Sequence, residues 1–163
     1  MKRLITLLVA ISLYGCAVNV GGGQKSPPAA PAAESKNTEI EWLNPPGTDT
    51  TNRPYSTAVR VDNMLYLSGA LGFVPETGKL AEGGIQPETR QTLENISATL
   101  EMFGSSMDRV VKCTVFLADI AEWGAMNEVY ITFFPNKPAR SAVGDIGLGL
   151  NARIEIECIA VID

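Results

Sequence analysis

Two amphipathic helical stretches set among short β-type runs do most to limit how this chain can fold. Pro87 stands where a first-turn proline opens a helix, and Leu93, Ile96, Leu100 and Phe103 then recur at helical spacing until Gly104 ends it. Asp119 followed three residues later by Glu122 reads as a capping box; Trp123, Met126, Tyr130 and Phe134 then make the apolar stripe of a second helix, closed by Pro135. Runs 56–61 and 64–68 flank an Asp62-Asn63 hairpin turn, and Pro75-Glu76-Thr77-Gly78 is a second turn. Residues 110–117 alternate, which predicts Val111, Cys113, Val115 and Leu117 on one face, with Lys112 and Thr114 on the other. Runs 139–144 and 152–161 read as the last two strands, joined by a loop holding Gly144, Gly147 and Gly149.

This order of strands, helix, strand, helix and two strands predicts an α+β (mixed α/β) fold, each helix being long enough to connect neighbouring parallel strands. Two helices cover one face of such a sheet. The other face would carry Lys112, Thr114, Glu155 and Glu157, too polar for a second core, which points to subunit packing. With 163 residues the chain has room for one compact domain and some additional sequence.

The additional sequence is N-terminal. Lys2 and Arg3 precede an apolar run over residues 4–14 that is too short to span a bilayer stably, which predicts a signal peptide over residues 1–15. Leu13-Tyr14-Gly15-Cys16 resembles the bacterial lipoprotein box, so Cys16 is expected to be lipidated and to become the new N-terminus. The alternative is an ordinary cleaved signal, or an apolar N-terminal helix. Residues 16–41, with Gly21-Gly22-Gly23 and Pro27-Pro28-Ala29-Ala30-Pro31, cannot bury enough surface to fold and read as a tether to a domain over residues 42–163. The expected location is extracytoplasmic, on the periplasmic face of a membrane and held there by lipid.

Composition removes several chemistries. The formal net charge is −5 with acidic residues dispersed, so no basic track exists for a phosphate backbone, and no nucleic-acid partner is expected. Histidine is absent, and with it the commonest general base and zinc ligand. Cys16, Cys113 and Cys158 lie far apart with no C-x-x-C spacing; no metal is expected.

Two segments place charge in apolar strand contexts: Pro138-Ala139-Arg140-Ser141-Ala142-Val143 and Arg153-Ile154-Glu155-Ile156-Glu157. Arg140 offers a planar fork suited to a substrate carboxylate, and Glu155 can take a proton from water and direct it at an electrophilic carbon. The competing reading is a cross-strand ion pair between Arg140 and Glu155 beside a solvent face. Tyr55 and Asn127 have equally plain readings, as an anchoring aromatic and a helix-surface polar group. Composition and periodicity do not choose between these.

The Arg140 and Glu155 segments resemble the C-terminal signature of the Rid (YjgF/RidA) family of reactive imine deaminases. Arg53-Pro54-Tyr55-Ser56, Leu67-Ser68-Gly69, Thr77-Gly78, the run from Thr89 to Ile96, Val111-Lys112-Cys113-Thr114-Val115-Phe116-Leu117, Met126-Asn127-Glu128-Val129-Tyr130 and Phe133-Phe134 match in the same order. The resemblance implies a single YjgF/chorismate-mutase-like domain with a mixed six-stranded sheet, two helices on one face and a homotrimeric barrel with clefts between subunits. It also implies cofactor-free hydrolysis of small 2-imino or enamine acids, such as 2-iminopropanoate and 2-iminobutanoate, to 2-oxo acids. By position, Arg140 would bind the carboxylate and Glu155 would activate water. Tyr55, Gly69, Asn127 and Ala142 would line the cleft. Ala142 and Ala70 stand where the deaminase type commonly has cysteine and glutamine, and the segment between Phe134 and Pro138 is shorter than in the best-known members. The alternative is a non-catalytic trimer that binds small carboxylate metabolites. A ribonuclease activity fits an acidic, histidine-free chain badly. Whether Cys113 and Cys158 pair stays open at this level.

Overall fold

The computed structural model describes residues 37–162; the expected signal segment, Cys16 and most of the expected tether lie outside them. Strand β1 (Ile40–Leu43) begins just ahead of Trp42 and pairs antiparallel with β2 (Ala58–Val61), which turns through Asp62 into β3 (Met64–Leu67). Asp62 takes the left-handed conformation (φ 51°) at this tight turn, one that aspartate tolerates better than most residues. A two-stranded ribbon, β4 (Phe73–Val74) and β5 (Lys79–Leu80), closes through Gly78 at φ 64°. Helix α1 (Ile85–Met102), β6 (Val110–Leu117), α2 (Trp123–Phe133), β7 (Ala139–Val143) and β8 (Ile154–Val161) complete the chain.

The main sheet is six-stranded and mixed, in the order β1-β2-β3-β8-β6-β7. β8 lies antiparallel to both β3 and β6, while β6 and β7 are parallel. Helix α2 therefore joins neighbouring parallel strands as expected. Helix α1 does not, because the last strand inserts between β3 and β6.

One core holds the layers together. Leu93, Ile96 and Leu100 of α1 and Met126 and Tyr130 of α2 pack with Leu65, Cys113, Val115, Leu117, Ile154, Ile156 and Cys158 from one face of the sheet. Pro87 falls in the first turn of α1, where its missing N–H would have had no intrahelical acceptor. The opposite face has no helix and exposes Trp42, Tyr66 and Val143.

Two local expectations are corrected. Val111 does not share the face of Cys113: the β6–β8 register shifts between Val110 and Lys112, so Val110 is buried and Val111 is 43% exposed. The capping box is only half formed. Asp119 accepts from Ala121 N at 2.8 Å and caps the 3-10 turn Ile120–Glu122, while the Glu122 side chain turns to the guanidinium of Arg153.

Cys113 and Cys158 sit directly opposite each other on β6 and β8 and form a disulfide, with Cα atoms 4.1 Å apart. Both are buried in the core.

Candidate functional site

The register decides where Arg140 and Glu155 can act. Arg140 lies opposite Cys113, which in turn faces Cys158, so its side chain shares the helix-covered side with the core. Glu155 lies opposite Phe116, on the side without helices. With β6 between β7 and β8, the two backbones are also roughly 10 Å apart across the sheet. The cross-strand ion pair that the sequence allowed is therefore not formed: the two groups leave opposite faces of strands that are not neighbours.

Helix α2 fixes Arg140. Trp123, Asn127 and Tyr130 fall on one face of that helix, four and then three residues apart. The Arg140 guanidinium carbon lies 5.3 Å from the Trp123 ring centroid and 4.6 Å from that of Tyr130, and Nη1 donates to Asn127 Oδ1 at 2.6 Å. Aromatic faces attract the cation while leaving part of its fork available. Among the described residues no carboxylate forms a salt bridge with Arg140; the pairs present are Arg60–Glu41 and Arg153–Glu122. Burial raises the Tyr130 phenol above its usual range, and the positive charge of Arg140 opposes that rise in part. Asn127 is thus first a partner of Arg140.

On the other side of the sheet, Tyr55, Ser68, Gly69 and Glu155 line a hollow of about 250 Å³. Its floor depends on a bulge. Tyr66 pairs with Ile159 and Ala70 with Ile156, so Leu67, Ser68 and Gly69 oppose only Glu157 and Cys158. Reciprocal bonds between Ala70 and Ile156, at 2.8 and 3.0 Å, pin this segment to β8. Asn95 of α1 steadies the chain just beyond, donating to the carbonyls of Leu71 (2.9 Å) and Phe73 (2.8 Å). The Glu155 carboxylate rests on Gly69; a β-carbon there would meet Oε1 at 1.9 Å.

The Tyr55 segment is tied down by Ser68 Oγ, which donates to Ser56 O at 2.7 Å, and by Arg53, whose guanidinium lies 5.3 Å from the Tyr55 ring centroid. Tyr55 remains 59% exposed. A broader depression of about 500 Å³, lined by Trp42, Asn44 and Arg53, shares Tyr55 and Ser68 with the hollow.

Within one chain, then, the expected residues form two groups: Arg140 with Asn127, and Glu155 with Tyr55 and Gly69. Ala142 joins neither and packs against the core from the edge strand. Sequence reasoning took Trp123 and Tyr130 as part of an apolar stripe; their shared helix face with Asn127 was the signal for a cation cage. Among the described residues no group of His, Cys, Asp and Glu could hold a metal ion.

The comparisons bear on the family and the fold. The family model described as Endoribonuclease L-PSP matches residues 48–162. The chain is 38% identical over 169 residues to Reactive Intermediate Deaminase A, chloroplastic, of Arabidopsis thaliana, covering 99% of this chain and 90% of that one. It is 44% identical over 109 residues to 2-iminobutanoate/2-iminopropanoate deaminase of Mus musculus, covering 66% and 81%. Among solved structures, the Rid-family protein YyfA of Yersinia pestis superimposes with a TM-score of 0.69 at 35% identity, covering 76% of this chain and all of that one. With the fold, the order of motifs and these likenesses in agreement, the chain belongs to the endoribonuclease L-PSP (Rid) family.

Proposed function

We propose that this protein hydrolyses small 2-imino acids and their enamine tautomers, 2-iminopropanoate and 2-iminobutanoate among them, to 2-oxo acids and ammonia without a cofactor. The active site would form where the Arg140 recess of one copy meets the Glu155 hollow of the next, in a homotrimer. The observation that carries this reading is the separation itself: a caged guanidinium without a carboxylate partner and a carboxylate seated on a glycine, on opposite faces of one sheet. The deaminase names of the mouse and Arabidopsis relatives support the reaction.

Arg140 holds the substrate carboxylate through its fork and places the imine carbon near the second copy's Glu155. Glu155 accepts a proton from water as the oxygen bonds to that carbon and passes it to the imine nitrogen, giving a carbinolamine. Glu155 then takes the carbinolamine hydroxyl proton as the C=O bond forms and delivers it to the nitrogen, the C–N bond breaks, and ammonia leaves with the carboxylate regenerated. Tyr55 and the backbone near Gly69 complete the wall around the reacting carbon. The acidic, histidine-free chain gives a ribonuclease mechanism neither a basic track nor an imidazole.

The test is an assay in which an amino-acid oxidase supplies 2-iminopropanoate. Arg140→Ala and Glu155→Gln are each expected to abolish the enzyme-dependent loss of imine. Wild-type rates in Arg140→Ala would reject the site. Binding of 2-oxobutanoate that survives Glu155→Gln, with no turnover in any form, would favour carboxylate capture instead.

Export and lipid attachment at Cys16 form part of the same proposal. The Cys113–Cys158 disulfide supports them, because such bonds persist in oxidising compartments outside the cytoplasm. Fatty-acid labelling that is lost in Cys16→Ser is the expected result, and an unlabelled soluble product would remove the anchor.

A further inference from the structure

The recess beside Arg140 has more cationic capacity than one carboxylate uses. It encloses about 300 Å³ between α2 and the start of β7, and Tyr130, Ile131, Phe134, Lys137 and Arg140 are among its walls. Arg140 and Lys137 both carry positive charge there, and among the described residues neither forms a salt bridge with a carboxylate. In a chain of net charge −5, two cations without an anionic partner in one concavity make a local field that favours an anion. Tyr130 forms part of the same wall but is only 5% exposed, and its hydroxyl is closed off from solvent with no hydrogen-bond partner.

The position of Lys137 is set by the short link from α2 to β7. Its N–H donates to Phe134 O at 3.2 Å and its backbone is held left-handed at φ 51°, an uncommon conformation for lysine. Lys137 and Arg140 line one recess, in which Ile131, Phe134 and Pro138 supply apolar surface.

Resting on the reading of Arg140 as the holder of the α-carboxylate, we infer that the site selects 2-imino acids whose side chain ends in a second carboxylate, the 2-iminosuccinate and 2-iminoglutarate class. Lys137 receives the distal carboxylate, and the apolar wall covers the intervening methylene carbons. Lys137 is then a specificity-determining residue.

The experiment compares kcat/KM for 2-iminoglutarate and 2-iminopropanoate, each generated by an oxidase from the matching amino acid, in the full-length protein. The wild type is expected to favour the diacid about tenfold, a ratio set by one added charge-assisted contact. Lys137→Gln should bring the ratio close to one, Lys137→Arg should keep it, and Lys79→Gln on the distant β5 should leave it as in the wild type. A wild-type ratio near one, or a ratio unaltered by Lys137→Gln, overturns the inference. Calorimetric binding of 2-oxoglutarate and 2-oxobutanoate separates it from the deaminase reading. If no imine is turned over, a tenfold preference for 2-oxoglutarate that disappears in Lys137→Gln still supports this role, and equal affinities overturn it.

Discussion

Gly69 and Glu155 constrain each other more tightly than any other pair in the candidate site. A methyl at Gly69 would overlap Oε1, the far end of a flexible side chain, so the carboxylate can swing away while the backbone stays in place. Gly69→Ala is therefore expected to lower kcat/KM by tenfold or more while costing no more than about 1 kcal/mol in a urea titration. A large loss of stability would place the role of Gly69 in folding. Arg140→Lys probes the other half. It keeps the charge but loses the fork and most of the stacking on Trp123 and Tyr130, so a roughly tenfold to hundredfold fall in kcat/KM is expected with little change in stability. Tyr130 bears on pH. Burial raises its folded pKa above the ordinary tyrosine value of 10.0, so as pH rises the unfolded phenol releases its proton first, and stability present below pH 10 declines above it. In Tyr130→Phe that alkaline decline should be shallower; equal slopes between pH 9 and 11 would show that the phenol does not titrate differently on folding.

The central pair of strands, β6 and β8, carries the disulfide, and its contribution can be measured. The two cysteines are 45 residues apart, and closing a loop of that length gives an entropic stabilisation of about 4 kcal/mol in the chain-entropy account, an upper figure because native-state strain subtracts from it. Replacing both cysteines by alanine should lower the unfolding free energy by roughly 2–4 kcal/mol and abolish the wild type's sensitivity to reductant; a loss confined to a few tenths would mean the core alone holds these strands. The pairing could not be read from sequence, because two cysteines at a distance say nothing about register. Local periodicity, by contrast, showed both helices, the Asp62 turn and the buried face of β6 from Cys113 onward. It placed Val111 on the wrong face because a bulge adds one residue without any compositional mark. The insertion of β8 between β3 and β6 was equally hidden, since strand order is set by contacts distant in sequence. Arg140 and Glu155 were visible as charges in apolar runs. That they leave opposite faces became legible only once the strand order was known.

At the scale of the whole molecule, the opposite facing of Arg140 and Glu155 makes a demand that a monomer cannot meet. A site needing both must draw them from different copies, and the face without helices offers the exposed side chains of Trp42, Tyr66 and Val143 for such contact. The demand can be tested by complementation. Arg140→Ala and Glu155→Gln homo-oligomers are each expected to be inactive, since every site in either lacks one group. If the two are unfolded together in equal amounts and refolded, each site pairs an Arg140 donor with a Glu155 donor drawn at random. A site works only when the arginine comes from the Glu155→Gln chain and the glutamate from the Arg140→Ala chain, so about a quarter of wild-type activity should return in a closed ring of heterologous contacts. The same two proteins mixed without unfolding should stay inactive if subunits do not exchange, which separates shared sites from residual activity in either variant. Should the refolded mixture remain as inactive as its parents while refolded wild type recovers, Arg140 and Glu155 do not share a site across copies, and the catalytic assignment falls with that arrangement.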